Sequence, residues 1–275
     1  MRLPLLWSLL PIMLPGISLA QAPSVPAGEA HFTIVQASDG KTVGSADSTV
    51  TSSASGYSIV SHGDLKMPKF TYTFTNTNRL DPHLNIVHDD LAGAVNGKQV
   101  SFSLASDPSG RQFQVSIVAS GKTTTNAFDR HQHTVLLPDL DSAAYIEMAH
   151  MAIEKPATTW IVIPKQNGVL VPAQYNADAD VHGAFHGQPV DAHHTSVTVS
   201  EQNGFTVELY YTSEGALLEA DLPEQNFYVI RDDFKLQSRP HYEPPRGTAL
   251  PPDSGAPPQN APPAPPQSQA MFQAY

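Results

Sequence analysis

The chain has 275 residues, no cysteine and a formal net charge of −11. That length holds one large or two small domains with a sizeable core. The missing cysteines exclude disulfides, thiolate metal sites, a cysteine nucleophile and a lipid-modified N-terminal cysteine, and the acidic balance without a Lys/Arg cluster disfavours nucleic acid and anionic headgroups as partners.

Residues 1–20, MRLPLLWSLLPIMLPGISLA, have the layout of a secretory signal. Arg2 is the basic start, Leu3 to Leu14 the apolar run, and Ser18-Leu19-Ala20 a small-x-small cleavage site. The run is too short and too proline-broken for a good membrane anchor, so cleavage and a periplasmic or secreted location are expected. No later segment is apolar enough to cross a membrane. Residues 21–29 form a short polar leader.

Residues 30–238 are rich in Val, Thr, Tyr and Phe in short alternating runs and predict one antiparallel β domain. In Phe70-Thr71-Tyr72-Thr73-Phe74-Thr75 every second side chain is aromatic, so one strand face is apolar and the other hydroxylic. Further strands are expected at 31–37, 43–51, 57–62, 84–95, 99–105, 112–119, 133–137, 159–163, 169–181, 196–201, 205–211, 216–220 and 227–231. Turn signals stand between many of them: Asp39-Gly40, Asn96-Gly97, Asn167-Gly168 and Asn203-Gly204. Strand–helix–strand alternation is missing, so no parallel pairing is expected. One helix is predicted at 142–154, capped by Asp141 and stopped by Pro156. Its stripe of Tyr145, Met148, Ala149 and Ala152 packs on the sheet, although methionines also suit an adaptable ligand surface.

Residues 239–275 turn to Pro, Ala, Gln and Ser and cannot bury enough apolar area to fold. A passive extended tail is expected; a spacer, or a docking segment with an unknown partner, is the alternative. Asp253-Ser254-Gly255 matches the aspartic-protease tripeptide, but such a turn needs burial and a second carboxylate.

Two stretches share the pattern G-A-apolar-[NH]-G-x-x-V: Gly93 to Val100 and Gly183 to Val190. Downstream, Phe113 to Ile117 answers Phe205 to Leu209, and Val135 to Asp139 answers Tyr228 to Asp232. Three matches in one order predict two related β-units at 69–140 and 159–234, a duplication inside one domain.

The stretch DVHGAFHGQPVDAHH at 180–194 holds four histidines. The repeat puts His186-Gly187 where Asn96-Gly97 makes a hairpin turn, so His186 reads as a turn residue at positive φ. Asp178, Asp180 and His182 share one strand face, most simply the solvent face. The alternation slips once near His193-His194, the mark of a bulge that re-aims side chains. No cofactor signature is present; if an ion binds, it is zinc on His182, His193 and His194 with an aspartate. His131-Gln132-His133 places two further histidines on one strand face without an obvious third ligand.

The aromatics Tyr72, Phe74, Phe102, Phe113, Trp160, Phe205 and Tyr211 either line a cavity for an apolar ligand or fill an ordinary core. No nucleophile, zinc-protease, P-loop or dinucleotide motif occurs. A hydrolase whose site is assembled in space leaves no such trace and stays open, but Glu201, Glu208 and Glu219 do not pair into an acid/base couple in the sequence.

Taken together, an Asp-Gly/Val-Gly opening (Asp39-Gly40, Val43-Gly44), a long meander, Leu137-Pro138 and one helix carry a resemblance. So do L-Y-Y-T-x-E-G-x-L-L from Leu209 to Leu218 and V-I-R-D-D-F from Val229 to Phe234. Over residues 30–238 the chain resembles uncharacterised exported β-proteins of bacterial envelopes, whose fold is similar to the periplasmic lipoprotein carriers. The resemblance implies a curved antiparallel sheet, an unclosed half-barrel with a helix on its concave side, and by analogy of fold a site for acyl chains there. The reading is therefore a mainly β, exported, non-enzymatic protein that binds an apolar ligand or envelope component in a sheet-lined groove. A His-dependent metal-binding protein is the alternative.

Overall fold

The structure, a computed structural model, describes residues 25–165, 168–199 and 204–238. The predicted signal, Asn167, Glu201, Asn203 and the Pro-rich tail with Asp253-Ser254-Gly255 lie outside the described residues.

The first half is a meander of β1 (Gly28–Gln36), β2 (Lys41–Ser53), β3 (Gly56–Met67), β4 (Phe70–Leu80), β5 (Ile86–Val95), β6 (Lys98–Ser106), β7 (Gln112–Ala119) and β8 (Lys122–Asp129). A short β9 (Thr134–Leu136) leads into α1 (Ser142–Glu154). The second half holds β10 (Thr159–Ile163), β11 (Val169–Ala177), β12 (Val181–Phe185), β13 (Gln188–Val199), β14 (Phe205–Tyr211), β15 (Leu217–Leu222), β16 (Phe227–Arg231) and β17 (Phe234–Leu236). The predicted leader gives up its last residues to β1.

The strand pairings run β8-β7-β6-β5-β4-β3-β2-β1 and continue through β16, β15, β14, β13, β11, β10 and β9. Its two end strands, β8 and β9, are neighbours in sequence, and the sheet curls without closing into a barrel. One expectation fails: β9, α1 and β10 form a strand–helix–strand crossover, with Thr134, Val135 and Leu136 parallel to Trp160, Ile161 and Val162. The three elements were each expected, at 133–137, 142–154 and 159–163; what was missed is that the two strands pair in parallel across the helix.

Alternation explains which face turns inward. In β4, Phe70, Tyr72, Phe74, Asn76, Asn78 and Leu80 are buried, while the threonines between them at 71, 73 and 75 are exposed. α1 lies inside the curl, against β2, β3, β9, β14 and β15. Its residues from Ser142 to Ala152 are all buried, so it is enclosed on every side rather than along one stripe. The sequence SAAYIEMAHMAIE has few charges to place in water, as enclosure requires. Asp141 caps it by accepting the Ala143 N–H at 3.0 Å, and Lys155 ends it in the left-handed region.

The two matched octapeptides form the same local structure. Asn96-Gly97 has φ of 50° and 78°, and His186-Gly187 has 50° and 75°. Both φ values are positive in each two-residue loop, the condition for a tight hairpin whose twist suits its strands. Later the copies diverge: β9 pairs in parallel with β10, whereas β16 lies antiparallel between β15 and β1.

The strand predicted at 169–181 ends at Ala177, and β12 begins at Val181, where the predicted strand was to end. β11 and the second half of β13 belong to the main sheet, but β12, the first half of β13 and β17 form a flap. The flap covers the outer face of β14–β16 with its own small core of Ala192, Tyr210, Leu218 and Phe234.

Candidate functional site

The main sheet presents a polar row to α1 where the pattern elsewhere is apolar. Ser48, Ser61 and Asn76 stand directly across from one another on β2, β3 and β4, and Asn78 stands across from Asp89 of β5. All five are buried. They dock the start of the helix. The Asp141 carboxylate accepts Ser61 Oγ at 2.6 Å and Asn76 Nδ2 at 2.8 Å. Ser142 Oγ meets Ser48 Oγ at 2.6 Å, and Asn78 Nδ2 donates to Glu147 Oε2 at 2.7 Å.

Three carboxyl groups therefore share one dry region. Burial, then the nearby Asp141, holds the Asp89 carboxyl well above the usual carboxylate range, with Asn76 opposing. Burial, then Asp89, does the same to Glu147 against the pull of Asn78. Burial also raises Asp141, though Ser61, Asn76 and the Ala143 N–H favour its charged form. Neither Asp89 oxygen has a partner at hydrogen-bonding distance, nor do Glu147 Oε1, Asn76 Oδ1 and Asn78 Oδ1. A set made only of acceptors needs donors, and neutral carboxyl groups supply them. Sequence reading missed this row. Its signal was there in Asn76 and Asn78, which continue the inward parity of Phe70, Tyr72 and Phe74.

The three predicted metal histidines do not converge. His182 Nδ1 meets Asp191 at 2.6 Å, and His193 Nδ1 meets Asp180 at 2.9 Å, both on the exposed face of the flap. His194, the next residue along the strand, points the other way and is buried, its Nε2 2.7 Å from Glu208 Oε2. A single ion cannot take ligands from both faces of one strand. His131 and His133 are on no strand face either. His133 sits at φ 53° before β9, and the His131 ring stacks on Trp160 at 4.0 Å.

Of the predicted ligand aromatics, Tyr72, Phe74, Phe102, Phe113 and Tyr211 are buried in the main core, and Phe205 packs against it. Trp160 is half-buried under His131. The concave side is filled by α1, so these side chains meet protein. Among the described residues, recesses open at the surface instead. One of about 230 Å³ is walled by Phe32, Val50, Ile146, Phe185 and Leu217, with Arg231 among its lining residues. One of about 440 Å³ lies at the helix end, beside Lys155, Gln174 and Asn176. One of about 300 Å³ lies beside Tyr57, Arg79 and Val87. None of the three takes Asp89, Asp141 or Glu147 into its lining.

No family model and no curated protein matches this chain. Among solved structures it is similar to a β-barrel-like protein of the domain of unknown function DUF1849 from Brucella abortus. The TM-score is 0.51 and the identity 9%, over 76% of this chain and 97% of that one. A protein from Bacteroides fragilis described as exported, with a YmcC-like fold, aligns over 75% of this chain and 94% of its own, at 6% identity and a TM-score of 0.28. The first likeness supports the barrel-like fold alone; the second is too distant to carry an argument.

Proposed function

We propose that this chain is an exported binding protein without a catalytic role, and that it takes the apolar part of a cell-envelope component into the recess beside Ile146. The observation that carries the reading is that recess, of about 230 Å³. Its walls come from β1, β2, α1, β12 and β15, so α1 reaches the surface here through Ile146. Phe32, Val50, Ile146 and Leu217 offer apolar contact, and the volume suits a segment of an alkyl or acyl chain rather than a whole lipid. Arg231, over the Phe185 ring at 4.9 Å and paired with Asp233 at 2.9 Å, and Glu29 give the recess a polar rim of both signs.

The exported envelope β-proteins that the sequence resembles have a fold similar to the lipoprotein carriers, which hold acyl chains in the concavity. Here α1 occupies that volume, which moves the apolar ligand to the edge of the helix. The non-catalytic reading is supported by the chemistry of the interior: the perturbed carboxyls face one another and the helix dock.

The test is calorimetric titration with straight-chain alkanoates and alkanols of increasing length. Binding should strengthen with each added CH2, by about 0.8 kcal/mol at most, until the recess is full. Ala216→Trp, at a half-buried lining position, should abolish it. Binding that ignores chain length, or survives Ala216→Trp unchanged, would sink the proposal.

A further inference from the structure

The slip in alternation near His193-His194 marks the passage of β13 between two cores: Ala192 belongs to the flap core, Val197 and Val199 to the main core, and β13 keeps its register with β14 from His193 to Val199. Across from it the neighbouring strand carries an extra residue. Ala177 pairs with Thr195 and Val181 with Ala192, so Asp178, Ala179 and Asp180 oppose only His193 and His194. The extra residue is a bulge, and it lies at the branch where β13 passes from the flap into the main sheet. Its first N–H, on Asp178, donates to the His194 carbonyl at 3.0 Å. The bulge thereby sets the Asp178 side chain against the buried His194 ring.

The geometry points to a divalent transition-metal site, suited to zinc, built by Asp178, His194 and Glu208. One donor atom from each of the three lies within 4.8 Å of the others. His194 Nδ1 and Asp178 Oδ2 are 4.0 Å apart. That gap is too long for a hydrogen bond and wider than the roughly 3.4 Å between neighbouring ligands of a tetrahedral zinc, so binding draws the half-exposed Asp178 inward. Glu208 Oε2 holds the other ring nitrogen, Nε2, at 2.7 Å, the place of the carboxylate that orients a metal-bound imidazole. Tyr210 stacks on the same ring at 4.6 Å and 8°, which fixes its plane. An imidazole nitrogen beside one carboxylate, with a second carboxylate holding the ring, suits zinc better than calcium or magnesium.

Burial and access fit the same role. His194 and Glu208 are buried, and Asp178 is half exposed, so an ion enters past Asp178 and is held from below. The exposed pairs His31–Asp47, His88–Asp90, His182–Asp191 and His193–Asp180 each have two members. None of them belongs to a converging group of three among the described residues. An ion at the bulge would tie β11, β13 and β14 together where the flap leaves the sheet.

The test uses the untagged full chain, stripped with chelator and titrated with zinc chloride, with bound metal counted by mass spectrometry. Wild type should take up one zinc per chain and melt higher with it. Asp178→Ala changes a half-exposed side chain and should fold, yet bind roughly tenfold or more weakly. The double variant His182→Ala/His193→Ala should bind like wild type. His194→Ala should lose the site, and if it does not fold, Asp178→Ala still decides. Absence of stoichiometric zinc, wild-type affinity in Asp178→Ala, or loss of binding in the double variant would each overturn the assignment.

Discussion

Replacing Asp89 by asparagine should make the protein more stable at neutral pH. Asp89 is fully buried, its two oxygens have no bonding partner, and burial plus Asp141 raises its carboxyl well above the usual range. A group raised in the folded state contributes its full stability below the unfolded value, and that contribution is lost as pH rises through the folded value. With an ordinary value of 3.8, keeping the carboxyl neutral at pH 7 costs the fold at most about 4 kcal/mol, at 1.36 kcal/mol per unit. Asparagine never has this cost. Its amide also brings donors to Asn76 Oδ1 and Asn78 Oδ1, which have none. Urea unfolding at pH 4, 5.5 and 7.5, followed by the fluorescence of half-buried Trp160, measures the difference between variant and wild type. Asp89→Asn should gain about 2–4 kcal/mol at pH 7.5 and little at pH 4, the gain growing with pH. A loss of stability at pH 7.5, or a difference that does not change between pH 4 and pH 7.5, would refute the neutral-carboxyl interior.

Other consequences are local. Asp141→Ala removes the helix cap and two buried hydrogen bonds, and should cost about 2–4 kcal/mol in the same unfolding assay. Phe234→Ala takes the largest apolar side chain out of the flap core and should cost about 3–4 kcal/mol. In hydrogen exchange its effect should concentrate on 181–192, leaving β2–β5 protected. Asp47, through its hydrogen bond and charge, raises the His31 imidazole above its ordinary 6.5. The stability it brings is present below 6.5 and lost as pH rises through the folded value, so NMR titration should place His31 above 6.5 in wild type and near 6.5 in Asp47→Asn.

The meander, the helix with its Asp141 cap and the His186-Gly187 turn were legible because each rests on a local rule. Alternation, an N-cap and a positive-φ pair act over a few residues. What the sequence hid depends on contacts across the sheet. β8 and β17 escaped notice because KTTTNAFD and FKL carry little apolar alternation. The enclosure of α1 was misjudged because its stripe was weighed and the apolar remainder of the helix was not. His182, His193 and His194 are close in sequence, yet strand parity sends His194 to the opposite face. The partners that give His194 its chemistry, Asp178 and Glu208, come from β-strand neighbours that no spacing rule reveals. The slip at His193-His194 was visible, but not that the extra residue stands across from it. Of the aromatics weighed as cavity lining or as core, Tyr72, Phe74, Phe102, Phe113 and Tyr211 are buried in the main core, Phe205 packs against it and Trp160 is half-buried.

The central claim is that the recess at Ile146 holds the apolar part of an envelope component. Native mass spectrometry of the chain recovered from its own envelope fraction tests it directly, with wild type and Ala216→Trp run side by side. Wild type should carry a discrete added mass from an alkyl- or acyl-bearing molecule, absent from the folded Ala216→Trp variant. A ligand-free wild-type spectrum, or the same adduct on both proteins, would contradict it.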